Sequence, residues 1–242
     1  MKLYIIAGEA SGDLHGSNLI KAMRAQEPTL NIRAWGGDLM QAQGADIVKH
    51  YRDLAFMGFY EVIINLRTIM RNFQFCEKDI ADFQPDALIL IDYPGFNLRM
   101  AKWANARKIP VLYYIAPQVW AWKEKRIHGM RKHINHLFVV LPFEKEYFEK
   151  RDMPVTFVGH PLLDQISESL ESGEEFRRRN GLNAQPIIAL LPGSRKQEIR
   201  AMLPLMLQMI RRFPHHQFVI AGAPSQHADF YASIISNNDA PV

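Results

Sequence analysis

The stretch YIIAGEASGDLHG, residues 4–16, contains the junction that decides the fold. Its apolar first half predicts a buried strand, and the amphipathic pattern that follows predicts a helix over residues 11–26. Glycines recur at positions 8, 12 and 16. A dinucleotide-binding loop requires G-x-G-x-x-G, and a P-loop requires Gly-Lys-Ser/Thr after its glycines. The junction therefore predicts a strand–turn–helix unit but matches neither nucleotide motif.

Two carboxylates, Glu9 and Asp13, occupy this junction. The helix macrodipole stabilises acids at a helix N-terminus, but the same acids repel a phosphate. A hydroxyl-rich ligand such as a sugar, bound at the carboxyl end of the first strand, fits them better. Taken alone, Ser11 and Asp13 are better explained as an N-cap and a first-turn acid. Glu9 has no capping duty in this interpretation and is the functional candidate.

Short apolar runs alternate with amphipathic stretches through the first two thirds of the chain. Strands covered on both faces by helices have this uninterrupted apolar character. The sequence therefore predicts an α/β fold with parallel βαβ units. The predicted strands are KLYIIAG, IRAWGG, DALILID, PVLYYIAP, HLFVVLP and VTFVGHP.

A polar stretch without strand character, residues 165–186, predicts a linker followed by a short helix. A second strand–helix series, with IIALLPGSR and HQFVIAGAP as strands, follows it. We assign residues 1–165 to an N-terminal α/β domain and residues 166–242 to a partial C-terminal one. Two strands form too small a sheet to bury their own faces, so the second domain is expected to be incomplete in this chain.

Composition narrows the classes of function. The chain has 242 residues, 48% of them hydrophobic, and a net charge of +4, which suits an anionic small molecule or membrane surface. It has no zinc-ligand spacing, no RNP-like aromatic pattern and no dense basic run, so nucleic acid is not an expected partner. We expect no metal and no cofactor, because Asp-x-Asp is absent. The single cysteine, Cys76, indicates a reducing compartment, and no apolar run reaches membrane-spanning length.

Two further junctions carry candidate chemistry. Asp92 ends the run DALILID at the ligand edge of a parallel strand, where a partly buried carboxylate can act as a general base. Its alternative role is to cap the turn before a proline. Gly193, Ser194 and Arg195, in LLPGSRKQEI, combine close backbone approach, a helix N-cap and a bidentate cation. This second junction predicts a diphosphate site.

A basic and aromatic segment, PQVWAWKEKR, predicts either of two roles. It can hold an anionic acceptor or rest on anionic lipid headgroups. It is equally consistent with an aromatic-packed loop followed by a solvated basic helix. The residues concerned are Trp120, Trp122, Lys123 and Arg126.

Two more residues are candidates by position. Met57 lies in AFMGFYEVIINLRTIMRNFQF, an apolar stretch that suits a core and is also long enough for an acyl-chain or membrane-facing surface. His160, in VGHP, ends a predicted strand near the expected hinge between the domains. A ligand contact and a structural role both remain open for it.

Seven motifs occur together in order and spacing: GEASGDLHG, FMGFYEV, IDYPGFN, PQVWAWK, LPFEK, FVGHPLLD and LLPGSRKQEI. In this combination the chain closely resembles the bacterial lipid-A-disaccharide synthases over nearly its whole length, with the family's C-terminal part missing. The resemblance implies a GT-B fold with two Rossmann-like domains, an N-terminal acceptor-binding domain over 1–165 and a partial C-terminal UDP-sugar-binding domain over 166–242. It also implies an inverting glycosyltransferase that joins UDP-2,3-diacylglucosamine to the 6-hydroxyl of 2,3-diacylglucosamine 1-phosphate (lipid X) and releases UDP.

The resemblance also implies roles and a location. The favoured base of the family corresponds to Asp92, its first-loop acid to Glu9, and its PGSR arginine to Arg195. The family acts at the inner face of the cytoplasmic membrane as a peripheral protein, and a homodimer stays open. Many members carry an acid at Gly95 and a serine at Ala116, so roles of those positions do not transfer. Without the family's uridine-binding part, this chain alone is expected to be weak or inactive.

Two other classes compete with this interpretation. A GT-B-like nucleotide-sugar enzyme of the 2-epimerase type would act on water-soluble sugar nucleotides and need no acyl-chain surface. A catalytically silent lipid-binding domain would bind lipid X without turnover. A redox Rossmann enzyme ranks last, because the dinucleotide spacing is wrong.

Overall fold

The computed structural model describes residues 1–54, 66–163 and 171–237. The chain divides into two compact units, Met1–Ser167 and Glu168–Val242. Each unit has its own hydrophobic core. Met57 lies outside the described residues.

A seven-stranded, fully parallel sheet forms the centre of the first unit. Its strand order is β3-β2-β1-β4-β5-β6-β7. The strands are β1 (Lys2–Ala7), β2 (Asn31–Gly36), β3 (Asp46–His50), β4 (Ala87–Ile91), β5 (Val111–Tyr114), β6 (His136–Val139) and β7 (Val155–Phe157).

Helices cover both faces of this sheet. Alternate residues of β1 enter two different core clusters: Tyr4 packs with one, and Ile5 with the other. A strand with both faces buried needs apolar residues at every position, which explains the uninterrupted apolar runs. The helices are α1 (Ala10–Gln26), α2 (Asp38–Ala42), α3 (Leu66–Phe83), α4 (Pro94–Ala106), α5 (Ile127–His133) and α6 (Pro142–Glu149).

The second unit repeats the strand–helix alternation on a smaller scale. Its two parallel strands are β8 (Ile187–Leu190) and β9 (Gln217–Ile220). Leu190, Ile199 and Phe218 are among its buried core residues. Its helices are α7 (Gly173–Arg179), α8 (Lys196–Leu207) and α9 (Ala228–Ser236).

The predicted α/β, GT-B-type fold class is confirmed, and all eight predicted strands are present. The strand β3 was not predicted from the sequence, because it lies at the sheet edge and is only partly buried. The first helix begins one residue earlier than predicted, with Glu9 instead of Ser11 at the N-cap position.

The strand order reverses between β1 and β4. The chain runs from β1 outward to β2 and β3, then returns to place β4 on the other side of β1. Ala7 and Ile91 are register partners at the carboxyl ends of these two strands. Their following residues, Gly8–Glu9 and Asp92–Tyr93, therefore leave the sheet side by side. Ligands of open parallel sheets bind in the crevice at such a switch point.

The glycines of the first junction serve close packing. A Cβ on Gly8 would overlap the ring of Tyr93. A Cβ on Gly16 would lie 2.7 Å from the sulfur of Met40, and one on Gly12 would lie 3.0 Å from the Cβ of Ala7. The glycine spacing thus lets α1 approach the sheet and α2. It forms no phosphate cradle.

Asp13 caps the helix α2. Its side chain is 2% exposed, and its carboxylate accepts hydrogen bonds from the backbone N–H groups of Gly37 (2.7 Å), Leu39 (3.1 Å) and Met40 (3.1 Å). Charge-assisted bonds to three otherwise unpaired amides fix α2 against α1. Asp13 is therefore the expected first-turn acid of α1, and its carboxylate has the structural role of capping α2.

We expect Asp13→Ala to destabilise the first unit by about 2–4 kcal/mol, because it leaves buried amides without acceptors. Urea denaturation followed by far-UV circular dichroism measures this loss. Asp53→Ala is the matched control, since the Asp53 carboxylate is 58% exposed and pairs with Lys49 on the surface. A surface pair contributes about 0–1 kcal/mol. Equal losses in the two variants would contradict the capping role.

Candidate active site

The backbone at Asp92 adopts an unusual conformation. Asp92 and Tyr93 both lie in the left-handed region, with φ values of +44° and +48°. Non-glycine residues rarely occupy this region, and two in succession persist only where the surroundings hold them. The turn aims the chain from β4 into α4, which begins with Pro94 at its first position.

Two buried side chains hold this turn. The amide Nδ2 of Asn97 donates to the carbonyls of Asp92 (2.7 Å), Ile91 (3.1 Å) and Ile6 (3.4 Å). The hydroxyl of Tyr113, on β5, also donates to the Asp92 carbonyl at 2.5 Å. Three neighbouring strands are thereby linked to one loop. The main chain of Asp92 is fixed, while its side chain is partly exposed.

Glu9 and Asp92 share this edge of the sheet. Glu9 occupies the N-cap position of α1 but makes no capping hydrogen bond with its side chain. The pKa of Tyr93 is raised, first by burial and then by the negative charge of Glu9. Burial and, secondarily, the charge of Asp92 raise the pKa of Tyr113. The charges of Glu9 and Asp92 therefore each raise the pKa of a tyrosine beside the loop of Asp92.

His15 is a candidate that the sequence analysis missed. It lies on α1, and its Nδ1 atom is buried without a hydrogen-bond partner among the described residues. Burial, followed by the charge of His160, lowers the pKa of His15. The loop after β7 therefore brings His160 back towards α1. The signal for His15 in the sequence was its position in GEASGDLHG, which places it on the helix that begins directly after Glu9.

The basic and aromatic segment separates into two parts. Trp120 is tied into the fold: its Nε1 donates to the buried carboxylate of Glu144 at 3.1 Å, and its ring packs edge-on against Phe143 at 4.9 Å. Trp122, in contrast, is 60% exposed. The Lys123 ammonium lies 4.5 Å from its ring centroid. Trp120 thus has a structural role, and Trp122 is available at the surface.

In the second unit, Glu198 closes the predicted diphosphate loop. Gly193 has a φ of +104°, and the Glu198 carboxylate accepts from the amides of Ser194 and Arg195, both at 3.3 Å. The guanidinium of Arg195 pairs with the same carboxylate at 3.0 Å. Arg195 holds the N-cap position expected for Ser194. An incoming diphosphate would have to compete with Glu198 for these groups.

The described residues contain no cluster of three or more His, Cys, Asp or Glu side chains placed to hold a metal ion. None of the described helices is long and apolar enough to cross a bilayer.

Comparisons with known proteins define the class. A solved UDP-GlcNAc 2-epimerase from Neisseria meningitidis, bound to UDP-GlcNAc, superposes with a TM-score of 0.61. It shares 13% identity over 98% of this chain and 69% of that one. At this identity the similarity shows the fold alone. The chain is thus an α/β protein of the GT-B type, with its acids at the switch point of the first sheet.

The sequence comparisons identify the family. The family model described as lipid-A-disaccharide synthetase matches residues 3–240. The lipid-A-disaccharide synthase of Trichlorobacter lovleyi is 36% identical over all of this chain and 64% of its own length. That of Geobacter metallireducens is 40% identical over 93% of this chain and 59% of its own length. The chain belongs to the lipid-A-disaccharide synthase family and spans about 60% of these relatives.

The contact between Gly8 and Tyr93 gives a test of the site's packing. Gly8→Ala places a methyl group against the Tyr93 ring and should cost about 1–3 kcal/mol of stability. Tyr93→Ala removes the obstacle, so the double variant should be less destabilised than the sum of the single ones.

Thermal unfolding of the four proteins of this cycle measures the coupling. Gly95→Ala is the control, because a Cβ there meets no atom within 4 Å. Additive effects of Gly8→Ala and Tyr93→Ala would contradict the contact.

Proposed function

We propose that this chain carries the acceptor-binding and base-bearing part of a lipid-A-disaccharide synthase. The reaction transfers 2,3-diacylglucosamine from UDP-2,3-diacylglucosamine to the 6-hydroxyl of lipid X, with inversion at the anomeric carbon. Family membership supports the reaction. The fixed loop of Asp92 at the switch point is the observation that carries the assignment of the base.

Asp92 takes the proton of the acceptor hydroxyl as that oxygen attacks the anomeric carbon. One C–O bond forms, the bond to the UDP oxygen breaks, and UDP leaves with the electron pair. A base is effective only within hydrogen-bond distance of the proton that it removes. The bonds from Asn97 and Tyr113 to the Asp92 main chain restrict where its carboxylate can lie. Glu9, on the neighbouring strand end, binds sugar hydroxyls.

Arg195 receives the charge of the leaving diphosphate. Its planar guanidinium presents two parallel donors, which match the geometry of phosphate oxygens. The Glu198 carboxylate, which contacts Arg195 and two loop amides, stands where an anion would bind. Donor binding displaces Glu198 from these groups. Arg195 and Gly193 then contact the diphosphate.

Trp122 and Lys123 form the membrane contact in this proposal. Trp122 is exposed, and the cationic groups of Lys123 and Arg126 lie 4.5 Å and 6.0 Å from its ring centroid. A tryptophan flanked by cations suits the boundary between acyl chains and anionic headgroups. Both substrates carry acyl chains, so the protein works at the inner face of the cytoplasmic membrane.

Asp92→Asn tests the base. In the chain extended to the length of its relatives, the rate of disaccharide formation should fall by about 10²–10⁴-fold, because the amide cannot accept the proton. Mass spectrometry of the reaction with both lipid substrates follows the product. The substitution keeps the side-chain shape and leaves the main-chain bonds of residue 92 in place.

Asp86→Asn is the matched control. Asp86 lies just before β4, at the opposite end from Asp92, and its carboxylate accepts from the backbone N–H of Lys2 at 2.7 Å. The same chemical change there should leave the rate close to that of the unchanged protein. A near-normal rate for Asp92→Asn in a folded protein would remove Asp92 from the role of base.

Trp122→Ala tests the membrane contact. Its affinity for vesicles containing phosphatidylglycerol should fall by about tenfold or more, since burying a large apolar side chain contributes about 1.5–3 kcal/mol. Vesicle co-sedimentation measures the affinity. Phe157→Ala, at an exposed aromatic residue between Thr156 and Val158, should leave it unchanged. Equal effects of the two substitutions would refute the assignment.

A further inference from the structure

A groove runs between α4 and α5, beside the candidate active site. Its volume is about 470 Å³, within the range of about 300–1,000 Å³ that is usual for small-molecule sites. Buried apolar residues, Ala101, Met130 and Ile134, lie at its base. Asn105 of α4 and His133 of α5 contact each other across the two helices at 3.3 Å.

The charged side chains that line this groove, among the described residues, are all positive. Arg99 and Lys102 come from α4, and Lys125 and Arg126 from the turn before α5. His133 also lines it, and no aspartate or glutamate of the described ranges does. The net charge of the whole chain is +4, so this concentration of cations is a local feature. Clefts lined by one sign of charge concentrate ligands of the opposite sign.

These cations are not neutralised within the described part of the chain. None of Arg99, Lys102, Lys125 and Arg126 forms an ion pair with a described carboxylate. The Arg99 guanidinium lies over the ring of Phe73, 4.0 Å from its centroid. Burial and the charges of Lys102 and Lys132 lower the pKa of His133. The groove is therefore an electropositive site that holds no carboxylate from the part of the chain that the structure describes.

One end of the groove opens at the loop of Asp92. Pro94 and Gly95, which line it, follow Asp92 and Tyr93 directly in the chain. The charge of Arg126 also acts on Tyr113, whose hydroxyl contacts the Asp92 carbonyl. A ligand that extends from the switch point into the groove thus passes from carboxylates to cations within one binding region.

We propose that the groove between α4 and α5 binds a phosphate monoester, carried by the sugar whose hydroxyl lies at Asp92. Arg99 and Arg126 supply the planar forks that pair with phosphate oxygens, and Lys102 and Lys125 add charge. A monoester carries up to two negative charges and a phospholipid diester carries one, so four cations favour the monoester. The identity of the sugar as a glucosamine rests on the proposed function. The phosphate site rests on the groove itself.

Gly129→Glu fills this site with a carboxylate. Gly129 is exposed, lines the groove, and a Cβ there meets no atom within 4 Å. Glutamate also favours a helix more than glycine does, so the fold should persist. Isothermal titration of the full chain with glucosamine 1-phosphate should show binding. Gly129→Glu should weaken this binding by about tenfold or more, because its carboxylate lies within a few ångströms of the phosphate and repels it.

Gly173→Glu is the matched control, because it makes the same change of charge at an equally open helical position of the second unit. It should bind glucosamine 1-phosphate like the unchanged chain. Glucosamine without phosphate should bind far more weakly to both. Absence of detectable sugar phosphate binding, or equal affinities in the Gly129 and Gly173 variants, would overturn the proposal.

Vesicles of phosphatidylglycerol separate the two sources of phosphate. The two glutamate variants should bind them alike, and Trp122→Ala should keep its affinity for glucosamine 1-phosphate. A selective loss of vesicle binding in Gly129→Glu would assign the groove to lipid headgroups and overturn the sugar phosphate site. Calorimetry requires no turnover. Groove binding together with a near-normal rate of Asp92→Asn would therefore refute the assigned base and leave the groove standing.

Discussion

The buried amide of Asn97 is the interaction on which the candidate site depends. Its Nδ2 group donates to carbonyls at the ends of β1 and β4 and to the carbonyl of Asp92. After β1 and β4 the chain continues into helices on opposite faces of the sheet, so the two strand ends diverge at the switch point. A single buried donor that joins them keeps the crevice edges at a fixed spacing. It also stabilises the two successive left-handed residues, whose conformation is otherwise unfavourable.

A separation of charge follows from this arrangement. The carboxylates of Glu9 and Asp92 lie just after the ends of β1 and β4, and cations line the groove between α4 and α5. Glycines at 8, 12 and 16 bring α1 close to the sheet without forming a phosphate cradle. The first junction is therefore a strand–turn–helix unit with close packing, and its acids suit the proposed carbohydrate ligand better than a phosphate. The proposed phosphate contacts lie in the adjacent groove and, in the second unit, at the loop of Arg195.

The central strands could be predicted from the sequence because both of their faces are buried, which demands uninterrupted apolar runs. The edge strand β3 could not, since DIVKH is half-polar and partly exposed. The positions of Glu9 and Asp92 at strand ends could be predicted from the sequence alone. The capping of α2 by Asp13 could not be predicted, because its partners lie 24–27 residues away in sequence. The same limit applies to Asn97, whose bond to Ile6 spans 91 residues.

In the proposed site, the order of charges along this surface would orient a sugar phosphate. A hydroxyl can approach Asp92 and Glu9 because it donates hydrogen bonds to carboxylates, whereas a phosphate at the same place is repelled. In the groove the preference reverses, since Arg99 and Arg126 attract the phosphate. The reversed substrate would place its anion against two acids and leave the cations unpaired. Discrimination between the two orientations thus comes from repulsion as well as attraction, as specific binding generally requires. In this proposal the site selects which hydroxyl reaches Asp92 before any chemistry occurs.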